Sequence, residues 1–171
     1  MAKAEWQNDI ITVWIQAKYF LEDMEMYVIG IVIFVALLAG ITFLTSAPLA
    51  FVDLPSLLVI LALSATVLAA SGLMGDFFKG FKLMGQKANP YSAIELKRIQ
   101  AAVKLSIRAF LLSGAVGTVV GVVGMLSQLS DVSTLGPNAA VALLTLLYSL
   151  VFVLIVLPVQ ARVKAVLATM E

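Results

Sequence analysis

Four long stretches of the chain carry no Asp, Glu, Lys or Arg: Met26–Ser46, Pro55–Gly75, Ala109–Ser130 and Pro137–Ala161. A helix rises about 1.5 Å per residue, so some 20 apolar residues cover the roughly 30 Å of a bilayer's hydrocarbon. Each stretch therefore predicts a membrane-spanning helix. Residues 1–25 follow another rule. Trp6, Ile10, Val13, Ala17, Leu21 and Met24 recur at three- and four-residue spacing, one apolar stripe on an amphipathic helix expected to lie on the membrane surface. Its polar side is acidic, unlike a simple anchor for anionic lipid, and Glu5, Asp9, Glu22, Asp23 and Glu25 are unlike a cleavable leader. Such a stripe serves either interfacial packing or the docking of a partner.

Between the second and third stretches, Asn89-Pro90 breaks the chain, and Ser92 with Glu95 forms an S-x-x-E capping box. Leu96, Ile99, Val103, Ile107 and Phe110 then continue a helical stripe into the third span. The pattern predicts one helix from Ser92 to about Gln128, roughly 55 Å long, with about a third of it outside the membrane. Gly136-Pro137 is expected to start the fourth helix, since proline is tolerated in a first turn. Pro158 lies inside the apolar run and is expected to kink it. The organisation predicted is all-α: an N-terminal amphipathic helix (1–25), a transmembrane hairpin (26–75), a short basic loop and helix (76–108), a second hairpin (109–161) and a tail (162–171).

Composition agrees with this reading, the chain being 62% hydrophobic and only 12% charged. The distribution of charge adds orientation. All eleven basic residues fall in the N-terminal segment, the middle loop or the tail, and the connectors SAPLAFVDLP and QLSDVSTLGP contain none. By the positive-inside rule both termini and the loop Asp76–Arg108 are cytoplasmic. With no cysteine and no histidine there is neither a disulfide nor a thiolate metal site to build, and no metal or cofactor is expected. No phosphate-binding loop and no carboxylate pair suggests an enzyme, and nothing beyond topological lysines suggests a nucleic-acid partner.

The third stretch contains SGAVGTVVGVVGM, four glycines within thirteen residues, each costing a helix in water about 1 kcal/mol relative to alanine. Gly114, Gly117, Gly121 and Gly124 are spaced three, four and three apart, on one helix face, with Thr118 at its border. On the fourth stretch Asn138, Ala142, Thr145 and Ser149 make a second small or polar face. Small residues let membrane helices approach closely, so a packing seam accounts for the glycines. A hydroxyl in such a helix usually bonds a carbonyl of its own preceding turn. Two such faces on consecutive helices also suit one wall of a hydrated path. A cation carrier normally keeps a carboxylate at membrane depth, and these stretches hold none. If the chain passes ions, the titrating group comes from another polypeptide.

The segments GAVGTVVGVVGMLSQLSD, LGPNAAVALLTLLYSLVFVLIVLP and FVDLPSLLVI resemble the third, fourth and second membrane segments of the MotA/TolQ/ExbB family, in its four-span MotA branch. The resemblance implies a pentamer around the membrane helices of a single-span MotB/TolR/ExbD-like dimer, which supplies an aspartate. Protons or sodium ions would cross the bacterial cytoplasmic membrane between the two and drive relative rotation. Carried over by position, Thr118 matches the third-span threonine, Tyr148 the tyrosine of the fourth-span signature and Pro158 the fourth-span proline. Thr118, Thr145, Ser149 and Tyr148 then border the ion path, while Gly114, Gly117, Gly121, Gly124 and Ala142 give a smooth face for the partner helix. Where the family commonly has a second threonine this chain has Leu146, so Thr145 or Ser149 takes its place; Leu111 stands at an early third-span proline. The cytoplasmic loop is far smaller than in flagellar members.

Two other readings follow from the same residues. A non-conducting assembly scaffold of the same fold accommodates Leu146. An autonomous carrier of the small-multidrug type would need a membrane glutamate, which the first span lacks.

Overall fold

The structure is a computed structural model that describes residues 25–45, 48–86, 89–127 and 132–170. The amphipathic stripe expected over residues 1–25 lies outside the described residues except for Glu25. The described elements are helical throughout, and four helices are long and apolar enough to cross a membrane.

Helix α1 (Glu25–Leu44) stands at the margin of the bundle, with none of its apolar window buried by the rest of the chain. A short 3-10 turn at Pro48–Phe51 leads into α2 (Leu54–Ala70). Asp53 starts α2 from an extended backbone, its Oδ2 accepting the Ser56 N–H at 3.2 Å, and Pro55 occupies the first turn, where a missing N–H costs nothing.

Helix α2 stops five residues before the expected end of its span. Gly72 takes φ +68°, a conformation that only glycine adopts cheaply. Around it the Leu73 N–H reaches the Leu68 carbonyl at 3.1 Å and the Gly72 N–H reaches Ala69 at 3.0 Å, a Schellman termination that satisfies the helix's last carbonyls. The chain turns at once into α3 (Met74–Met84), which takes up the expected end of the second span and the expected start of the basic loop. Two glycines mask this helix, and Gly80 has a tertiary reason. A Cβ there would lie 2.9 Å from Val103 and 3.3 Å from Val159, so α3 sits tightly on its neighbours only because residue 80 has no side chain. Asp76 in the first turn is buried and pairs with Lys79 on its own helix and Arg98 on the next, each at 3.1 Å.

Helix α4 (Ala93–Leu126) is a single 34-residue helix, about 50 Å long. Both halves of the capping box form: the Ser92 hydroxyl accepts the Glu95 N–H at 3.3 Å, and Glu95 Oε2 accepts the Ser92 N–H at 3.0 Å. Helix α5 (Val132–Ala168) begins five residues earlier than Gly136-Pro137 suggested, and both Pro137 and Pro158 lie inside it. Proline's fixed φ is itself helical, and Pro137 forfeits only the bond to the carbonyl four residues back, Ser133, in the opening turn.

Helices α4 and α5 form an antiparallel hairpin against which α2 and α3 pack. Two packing regimes divide it. Toward the end that carries the Lys and Arg residues, Leu83, Leu96, Ile99, Val103, Val159 and Val163 are wholly buried in a core of large apolar side chains. Toward the far end the buried positions on α4 and α5 are mostly small, Ser113, Gly114, Ala142, Thr145 and Ser149, with Leu144 the large apolar side chain among them.

Candidate functional site: the small-residue seam of the α4–α5 hairpin

The two small faces meet each other. A Cβ at Gly114 would collide with the Ser149 side chain, one at Gly117 would lie 2.7 Å from Thr145 Cγ2, and one at Gly121 would lie 2.8 Å from the Ala142 Cβ. One turn toward the basic end, the rings of Phe110 and Phe152 stack at 5.1 Å. Steps of four, three and four along α4 are thus met by three, four and three along α5, so the register is constant over the whole seam. Gly124 does not take part, having nothing within 4 Å of where a Cβ would stand.

Polar groups line this seam. The Thr118 hydroxyl lies 2.8 Å from the carbonyl of Gly114 on its own helix and 3.1 Å from that of Ala142 on α5. Thr145 Oγ1 lies 2.9 Å from the Val141 carbonyl and 3.1 Å from the same Ala142 carbonyl. Each hydroxyl has one proton and two acceptors in reach, and the two side chains share Ala142. Ser149, fully buried, donates to Leu146 at 2.8 Å. Leu146 itself is half-buried.

Tyr148 points elsewhere. Its hydroxyl donates to the Phe51 carbonyl at 2.6 Å and accepts the Asp53 N–H at 2.7 Å, tying α5 to the entry of α2. Asp53 thereby belongs to the second apolar segment, Leu49–Ala70, rather than to the connector before it. Ala142 and Thr145 are buried beside Ser149, whereas Thr118 is half-buried. Pro158 lies nearer the basic end and borders a cleft facing α1.

Sequence reasoning passed over Ser64. It is buried on α2 and its Oγ lies 3.2 Å from that of Ser113 on α4, directly before Gly114. This side-chain bond joins α2 to the seam. Its only signal in sequence was a serine at each of two positions within apolar runs.

Four membrane-compatible helices, with a tightly packed hydroxyl-bearing seam between the last two, define a multi-pass helical membrane protein. Residues 87–171, which contain all of that hairpin, match the MotA/TolQ/ExbB proton channel family. The family is one of channels rather than enzymes, so the chain is a membrane subunit of ion-channel type. A comparison with curated proteins finds no match.

Proposed function

We propose that the protein is a stator-like subunit that couples proton or sodium flow across a bacterial cytoplasmic membrane to mechanical work. It does so as a homo-oligomer, a pentamer by family resemblance, around a single-span MotB/TolR/ExbD-like dimer. The observation that carries this reading is the convergence of the Thr118 and Thr145 hydroxyls on one carbonyl, Ala142, within the hairpin that matches the channel family. Hydroxyls with two acceptors each can reorient and hand a cation or proton along, but cannot themselves store the charge. The membrane portions of α4 and α5 contain no acidic residue, and Asp53 of the second apolar segment is engaged as the cap of α2, so an aspartate from the partner fills that role. The positive-inside distribution of Lys and Arg supports cytoplasmic termini.

The test is ion flux in vesicles containing this chain and its single-span partner. Changing the partner's aspartate to asparagine is expected to abolish the flux, and Thr118→Val or Thr145→Val to lower it by about tenfold, the loss of roughly one hydrogen bond. Flux indifferent to the aspartate would end the proposal.

One structural feature favours a second reading, a non-conducting scaffold. The seam's hydroxyls all have backbone acceptors in their own hairpin, and Gly114, Gly117 and Gly121 are spent on packing within the chain. Intact assembly and unimpaired cellular function in the Thr118→Val, Thr145→Val double variant would select it.

A further inference from the structure

At the basic end, α1 stands off from α5 and leaves a cleft of about 460 Å³, bordered by Tyr27, Ile31 and Phe34 on α1, Met84 at the end of α3, and Leu154 and Pro158 on α5. The size falls within the roughly 300–1,000 Å³ of small-ligand pockets. Gly30 faces this space and has nothing within 4 Å of a Cβ position. One polar contact closes its rim, the Tyr27 hydroxyl donating to the Ile155 carbonyl at 3.2 Å. Apolar cavities stay dry, and atoms facing a void forgo dispersion contacts. In a bilayer the group at hand to restore them is a hydrocarbon tail.

Charge says which lipid. Arg162 follows Pro158 by one helical turn on the same face of α5, and its Nη2 reaches the Gln86 carbonyl at 3.2 Å, two residues beyond Met84. The guanidinium is not part of the cleft's lining but is held next to it, beyond the edge that Met84 and Pro158 form. Its planar fork matches phosphate geometry. Lys82, exposed in the last turn of α3, adds positive charge at the same end.

We propose that this cleft is a site for one anionic phospholipid, with an acyl chain between α1 and α5 and the phosphate on Arg162. The site lies outside the α4–α5 seam and is independent of ion flow.

Native mass spectrometry of the full-length protein, exchanged into mild detergent with phosphatidylglycerol or phosphatidylcholine of identical chains, tests it. A basic residue near an anionic surface is worth about fivefold in binding, so phosphatidylglycerol should be retained about fivefold more. Arg162→Gln should bring the two lipids level. Gly30→Phe places a ring in open space, leaves folding unhindered, and should lower retention of both lipids, while Val32→Phe on the opposite side of α1 should not. Equal retention of the two lipids by the unaltered protein, or unchanged retention in Gly30→Phe, would overturn the assignment.

Discussion

Gly114 and Ser149 approach so closely across the α4–α5 seam that no methyl group fits between them. Membrane helices gain nothing from expelling water, so the stability of this contact comes from packing and from side-chain hydrogen bonds that the close approach permits, such as that of Thr118 to the Ala142 carbonyl. Gly114→Ala should therefore destabilise the hairpin by about 1–3 kcal/mol, the usual result of overpacking. Gly124→Ala, where a Cβ meets nothing, should be neutral. Reversible unfolding in mixed micelles measures both, and equal effects at the two positions would contradict the seam.

Ser64 and Ser113 exchange a buried hydrogen bond at 3.2 Å. Each single change to alanine leaves one hydroxyl without its partner, and the double change removes both. A double-mutant cycle should give a coupling of about 0.6 kcal/mol, with about 1.7 as the ceiling seen for such bonds in membranes. A coupling of zero would mean that the serines are held by other acceptors.

Tyr148→Phe removes one donor and one acceptor from the entry of α2. Its effect should be local. Amide exchange at Asp53 should accelerate strongly, by the factor that a loss of about 1–3 kcal/mol implies, while the α4–α5 seam stays protected. Ion flux should fall less than in Thr118→Val, because the hydroxyl of Tyr148 serves the connector.

Asp76 is buried, but its partners Lys79 and Arg98 have side chains 40% and 62% exposed. Asp76→Asn returns two solvated cations to water and leaves no unpaired buried charge. The cost should be at most about 1 kcal/mol and should shrink as salt is raised. Thermal melts at low and high ionic strength distinguish this from a buried network, whose loss would be large and salt-independent.

What the order of residues makes legible here is local chemistry. Runs free of charge declared the spans, the Ser92–Glu95 box marked the start of α4, and the spacing of Gly114, Gly117, Gly121 and Gly124 announced a face made for close approach, of which Gly124 meets nothing within the chain. These are properties of consecutive residues, written in period and composition. Tertiary structure decided which surface the glycine face meets within the chain, because a helix carries no record of its neighbour: it is Ala142, Thr145 and Ser149 of α5. It decided that Met74–Met84 is a helix, since Gly80 discourages one locally and is required by Val103 and Val159. It also directed Tyr148 to the α2 entry and paired Ser64 with Ser113, contacts between residues 95 and 49 positions apart that no local pattern encodes.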